Sequence, residues 1–344
     1  MALLTAEITG KTLAERYQIL ELDHEELLGA VYTARDLDSG RLVSVKVLHP
    51  HLTEDREKFK RFGREITATY MVSQVNTVEV TDWGEQDELH YLVMEFLRAH
   101  TLEDELKKGP MPAERVARIG IQIARAVGAA HQEGIVHRAL GPANVLLLEN
   151  AVDGDFVKVR DFGLSKLEKV EEDEETGLTT QNTRVGNAEY MAPEYIKTSK
   201  YHTKGDLYSL GALMYHMLVG QPPFTGAMLD VLTAHLNETP VPPSQRVENV
   251  PPWLESLILA LLQKTPEERP GAYRVVQQIE TSADKAFEPP DLYELDEKGE
   301  PIVPEGTPTV AIALGLTLLF SLLAALLLVG VIVVFSVVLA ISLA

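Results

Sequence analysis

Residues 17–97 repeat a short alternating pattern. The runs YQILEL, GAVYTARD, RLVSVKVL, TVEVTDWG and LHYLVMEFL are rich in β-branched and aromatic residues, with turn signals such as Asp38-Ser39-Gly40 between them. They predict a small sheet, interrupted by one helix over about residues 54–73. Within residues 43–47 the alternation puts three valines on one face and Ser44 with Lys46 on the other, so Lys46 projects from the middle of a strand. Residues 98–283 follow the helical period instead. Thr101-Leu102-Glu103-Asp104 reads as a capping box, Pro112 leads a stretch with Val116, Ile119, Ile123 and Val127 on one face, and Gly134 ends it. A third pattern fills residues 310–344, where no Asp, Glu, Lys, Arg or His occurs and Leu, Val, Ile, Ala and Phe dominate. About 20 such residues suffice to cross a bilayer, because a helix pairs all its own backbone groups. The pattern therefore predicts one carboxyl-terminal transmembrane helix over residues 309–344. The surplus length allows tilt or a re-entrant tip near Gly330, whereas two full spans would need about 40 residues plus a turn.

Composition narrows the picture. Asp and Glu total 51 against 31 for Lys and Arg, a formal net charge of -20. Such a surface repels phosphate backbones, so nucleic acid is not expected as a partner. Cysteine is absent, which excludes disulfides and thiolate metal clusters and suits a reducing compartment. The amino-terminal stretch carries Glu7, Lys11 and Glu15 and no long apolar core, so it does not read as a secretory signal. The expected organisation is a leader (1–16), a β-rich first lobe (17–97), a helical second lobe (98–283), an acidic, proline-rich tether (284–308) and the membrane segment (309–344). A single-pass membrane protein with its globular part in the cytoplasm is the localisation this predicts.

The second lobe also carries a series of short motifs. They run Ile135-Val136-His137-Arg138-Ala139-Leu140-Gly141-Pro142-Ala143-Asn144-Val145-Leu146, then Asp161-Phe162-Gly163, Met191-Ala192-Pro193-Glu194, Asp206-Leu207-Tyr208-Ser209-Leu210-Gly211, and Arg269-Pro270. With Lys46 and Glu65 before them, their order and spacing resemble the bacterial eukaryotic-like serine/threonine protein kinases over about residues 17–280. The resemblance implies an α+β fold of two lobes, the first a small β-rich N-lobe and the second a helical C-lobe. It implies that Lys46 pairs the phosphates of ATP, that Glu65 holds Lys46, and that Asn144 and Asp161 bind Mg²⁺. Val31, Met94 and Leu146 would line the adenine pocket. His137, Phe162 and Asp206 would tie the catalytic loop to the central helix, Glu194 and Arg269 would form a buried ion pair, and Arg138 would belong to the same structural set. The acidic run at residues 171–175 reads most simply as a solvated loop, the alternative being that its carboxylates stand in for phosphate opposite Arg138.

Three positions depart from the family pattern. The family reads His-Arg-Asp where this chain has His137-Arg138-Ala139, and a methyl group cannot accept a proton. Gly141 stands where a lysine steadies the transferring phosphate, and Asn187 where a threonine contacts both. General acid–base catalysis contributes about 10²- to 10⁴-fold, so phosphotransfer is expected to be severely slowed. The phosphate-covering hairpin keeps only Gly29, its two earlier glycines falling on His24 and Glu26. Missing glycines and the added charge of Glu25 and Glu26 predict weak or absent binding of ATP and Mg²⁺. The expected function is that of a membrane-anchored pseudokinase acting as a signalling scaffold or regulator. Its partners would be other signalling proteins, such as an active kinase or its substrates, and the membrane. The alternatives are a kinase with atypical catalysis and a nucleotide sensor without turnover. Thr179, Thr180 and Thr183 are candidate phosphorylation sites.

Overall fold

A computed structural model describes residues 8–26, 29–49, 74–152, 154–162 and 188–283, together with 292, 295, 296, 299 and 302. The alternating runs form strands. β1 (Thr12–Leu13), β2 (Tyr17–Glu26), β3 (Gly29–Asp36), β4 (Leu42–Leu48), β5 (Val80–Gln86) and β6 (Leu89–Glu95) make a six-stranded antiparallel sheet in the order β1-β2-β3-β4-β6-β5. Register follows the pattern of side chains: Tyr32 lies opposite Val45 and Val45 opposite Val93, so one face buries Tyr17, Ile19, Tyr32, Val45, Tyr91 and Val93 together. The other face carries Val31, Lys46 and Leu92 in register.

Two expectations about this lobe are corrected. The lobe begins earlier than residue 17, because β1 pairs antiparallel with Tyr17 and Gln18 and because Ile8 and Leu13 are buried in the sheet's core. The leader is thus, from Ile8 onward, part of the lobe. β2 also runs past the apolar run YQILEL to Glu26, with register shifts between Ile19 and Glu21 and between Leu22 and His24. Each extra residue in one strand turns every later side chain to the opposite face, so the second shift undoes the first. His24 consequently lies opposite Val31 and Glu26 opposite Gly29, on the face of Lys46. Gly29 must be glycine for a different reason: a Cβ there would meet the Val47 carbonyl oxygen at 2.0 Å.

The second lobe is built on α1 (Leu102–Leu106), α2 (Ala113–Gln132), α3 (Pro193–Thr198), α4 (Thr203–Val219), α5 (Met228–Asn237), α6 (Pro252–Leu261) and α7 (Ala272–Ser282). Thr101 caps α1, its Oγ1 accepting from the Asp104 N–H at 3.1 Å. The stripe Val116, Ile119, Ile123 and Val127 of α2 is fully buried against the near-wholly buried α4. At Gly211 a Cβ would meet the Leu261 Cβ at 2.6 Å, so glycine permits the close approach of α4 and α6. β7 (Ala99–Thr101), β8 (Val145–Leu148) and β9 (Val157–Val159) form a second, three-stranded sheet. Asn76 links β9 to the first lobe, since its Nδ2 donates to the Gln122 Oε1 at 3.0 Å and the Val157 carbonyl at 2.8 Å. The predicted helix at 54–73, Glu65, Gly163, the acidic run 171–175, Thr179, Thr180, Thr183, Asn187 and the segment 309–344 lie outside the described residues. Among the described residues no helix is long and apolar enough to cross a membrane. In the expected tether, Leu292 forms an isolated antiparallel bridge with Ala151, so the chain touches the domain there.

Among the described residues the largest fully buried side chain is Arg269. Its Nη1 and Nη2 donate to Glu194 Oε1 and Oε2, both at 2.7 Å, and it also donates to the carbonyls of Lys204, Gln263 and Lys264. Removing one partner of such a pair strands a charge and three carbonyls. Replacing it, Arg269→Met, is expected to cost about 3–5 kcal/mol. Urea unfolding followed by tryptophan fluorescence measures this, and a loss below about 1 kcal/mol would place the pair at the level of a surface salt bridge.

Candidate functional site

Lys46 sits mid-strand on β4, with only 1% of its surface exposed. An ammonium so buried persists only when paired. Its Nζ lies 2.7 Å from Asp161 Oδ1 and 2.6 Å from Glu26 Oε2. The second Glu26 oxygen, Oε1, lies 2.6 Å from Arg160 Nη1 and 2.7 Å from His24 Nε2. The His24 ring in turn meets Asp23 Oδ2 through Nδ1 at 3.0 Å. Arg160 completes the set by donating from Nη2 to the Ala143 carbonyl at 3.0 Å, with its Nε 3.9 Å from Asp161 Oδ2.

These contacts set the charge states. Burial alone pulls the Glu26 carboxyl upward, but His24, Lys46 and Arg160 outweigh it and hold it well below the usual carboxylate range. Hydrogen bonds to Asp23 and then Glu26 raise His24 to about 9, so it is cationic at neutral pH. Burial lowers Lys46, and Asp161 and Glu26 together more than reverse that. Three cations therefore face three carboxylates in one closed network.

The loop of residues 137–144 is held from several sides. The backbone N–H groups of His137 and Arg138 donate to Asp206 Oδ2 and Oδ1, each at 2.9 Å, and the His131 Nε2 lies 2.7 Å from Oδ2. The His137 ring packs on Phe162 with centroids 4.7 Å apart, and burial lowers its pKa. Arg138 adopts a left-handed backbone (φ +73°), and its guanidinium lies 5.4 Å from the Tyr201 ring centre. Asn144 Nδ2 donates to the Ala139 carbonyl at 2.9 Å, across the short turn Pro142–Asn144 that follows Gly141. Ala139 thus serves the loop through its backbone while its side chain offers a methyl group. Val31 is buried, and Met94 and Leu146 are half-buried.

The structure joins Lys46 and Asp161 directly, together with the strand-end pair His24 and Glu26, and sets Asn144 beside Arg160, whose backbone N–H donates to the Asn144 carbonyl at 3.0 Å. Asp23, Arg160 and Lys158 escaped the sequence reading. Lys158 within β9 and Arg160 just past its end alternate with the buried Val157 and Val159, and that period-two pattern was the available signal for these two. Lys158 pairs with Glu95 Oε1 at 2.6 Å and so ties β9 to the end of β6. Tested against a polyphosphate with Mg²⁺, the donors do not fit as they stand. The Glu26 carboxylate already takes Lys46 and Arg160, Asp161 is spent on Lys46, and the Asn144 amide is turned to Ala139.

Comparison with known proteins follows this geometry. The model of the protein kinase domain matches residues 27–279. A Clostridium perfringens protein named a probable serine/threonine-protein kinase is 36% identical over 285 residues, covering 82% of this chain and 40% of that protein. The serine/threonine-protein kinase pkn3 of Myxococcus xanthus is 34% identical over 286 residues, covering 82% of this chain and 52% of the relative. PknB of Mycobacterium leprae is 34% identical over 267 residues, covering 76% and 42%. The chain thus spans about half or less of the length of these curated relatives. The kinase domain of Mycobacterium tuberculosis PknI shares the fold, with a TM-score of 0.61 over 80% of this chain and 98% of that one at 22% identity. With nearly three quarters of its length matched, a β-rich lobe joined to a helical one and bacterial serine/threonine kinases as relatives, this chain belongs to the protein kinase family.

Proposed function

We propose that the chain is a membrane-tethered pseudokinase, a kinase-fold domain that transfers phosphate very slowly or not at all and acts by binding other signalling proteins. The observation that carries this reading is Ala139. Asp206 and Asn144 hold its loop in place, yet the position that should orient and deprotonate the attacking hydroxyl presents a methyl group. Gly141, in place of the steadying lysine, supports the same conclusion. The family generally uses ATP and Mg²⁺, and here the side chains expected to hold them are engaged with one another.

A slow kinase with atypical chemistry is the second reading, and the pairing of Lys46 with Asp161 at 2.7 Å favours it, because the lysine and one metal-ligating carboxylate remain side by side. A nucleotide sensor is the third: it would bind ATP without transfer.

Two measurements test the proposal. The full chain in detergent micelles, given ATP with Mg²⁺ or Mn²⁺, is expected to leave no phosphate on itself or on a generic protein substrate by mass spectrometry. Phosphate that a Lys46→Met variant abolishes would establish the slow kinase instead. The full chain is also expected to stay in the membrane fraction through high-salt and carbonate washes, and removal of residues 309–344 to release it. Release of the full chain by salt alone would reduce the tail to a peripheral contact.

A further inference from the structure

We propose that Glu26 is a tethered occupant of the phosphate site, a side chain of the hairpin that closes the nucleotide cleft from within by taking the cations a polyphosphate would need. The reading of Lys46 and Asp161 as the side chains facing a nucleotide's phosphates underlies it; the loss of phosphotransfer does not.

The geometry of the carboxylate carries the inference. Each of its oxygens meets a cation: Oε2 meets Lys46 at 2.6 Å, while Oε1 meets Arg160 at 2.6 Å and His24 at 2.7 Å. Two anionic oxygens on a fork of cations is the arrangement a phosphate group also satisfies. Glu26 reaches it through the register of β2, in which the shifts at Ile19/Glu21 and Leu22/His24 offset each other and leave His24 and Glu26 opposite Val31 and Gly29 on the face of Lys46, with Glu25 opposite Ala30 and exposed. The neighbouring acid therefore provides a built-in comparison, one residue away and with the same charge.

Charge balance gives the consequence. With Glu26 in place, Lys46, Arg160 and His24 are matched by Glu26, Asp161 and Asp23. With Glu26 withdrawn, one positive charge is in excess at the buried end of the cleft, and an anion is drawn there. A nucleotide must therefore exchange with Glu26, and its apparent affinity is the intrinsic affinity reduced by the fraction of molecules in which Glu26 has swung out. Substitution of Glu26 removes that reduction.

The test titrates full-length protein in detergent micelles with a fluorescent N-methylanthraniloyl ATP, with and without Mg²⁺. Glu26→Gln, which keeps size and loses charge, is expected to tighten binding at least tenfold, while Glu25→Gln stays within about twofold of the parent. Glu26→Asp keeps the charge but retracts it from Lys46 and Arg160. It is expected to tighten binding by a smaller factor, and it serves as the readout should Glu26→Gln not fold. Equal affinities for parent and both Glu26 variants would overturn the proposal, as would equal tightening by Glu25→Gln or the absence of binding to every variant. The outcome is separable from the pseudokinase reading. Glu26→Gln that binds ATP tightly and transfers nothing supports both ideas. A parent protein that transfers phosphate removes the pseudokinase reading and leaves Glu26 to be judged on affinity alone.

Discussion

A buried ammonium group organises this molecule. Lys46 is almost completely withdrawn from water in the middle of a sheet, and a charge in that position must be matched or it destabilises the fold by several kcal/mol. Its partners come from separate parts of the chain. Asp161 lies 115 residues away, just past the three-stranded sheet, and Glu26 ends the second strand. Satisfying one charge therefore draws the hairpin of the first lobe and the loop of the second lobe together. Arg160 and His24 extend the arrangement, because each carboxylate oxygen left over by Lys46 takes another cation.

The same logic recurs deeper in the second lobe. Asp206 accepts two backbone N–H groups of the loop at His137 and Arg138, and Arg269 satisfies both oxygens of Glu194 and three carbonyls. These contacts shape backbone and join helices, so they stabilise the domain whether or not phosphate is transferred. Ala139 shows the distinction within one residue. Its carbonyl still receives the Asn144 amide, whereas the side chain that would do chemistry is reduced to a methyl group. Shape and side-chain chemistry are carried by different atoms of the loop.

Electrostatics separates this cleft from one awaiting a nucleotide. A site built to hold a polyphosphate with Mg²⁺ keeps positive groups free to meet it. Here the positive groups are already neutralised by carboxylates of the same chain, and the carboxyl of Glu26 is held strongly ionised by its surroundings.

Much of this was legible in the sequence. Alternating runs specified the strands, the α2 stripe specified a buried helix, and the ordered motifs from His137 to Arg269 specified the family, because periodicity and spacing are local properties. Ala139 and Gly141 were equally readable, since the loss of a carboxylate or a lysine is a fact of composition at a known position. The early start of the lobe was not, because Ile8 and Leu13 are single apolar residues whose burial depends on a sheet assembled from later strands. Nor was the inward turn of Glu26. Each of the two bulges in β2 shifts facing by one residue without altering composition, so the sequence does not show that they cancel, and Glu25 and Glu26 read as equivalent. Only the register of β2 against β3, with Lys46, Arg160 and His24 gathered from three segments, decides that one faces solvent and the other fills the cleft.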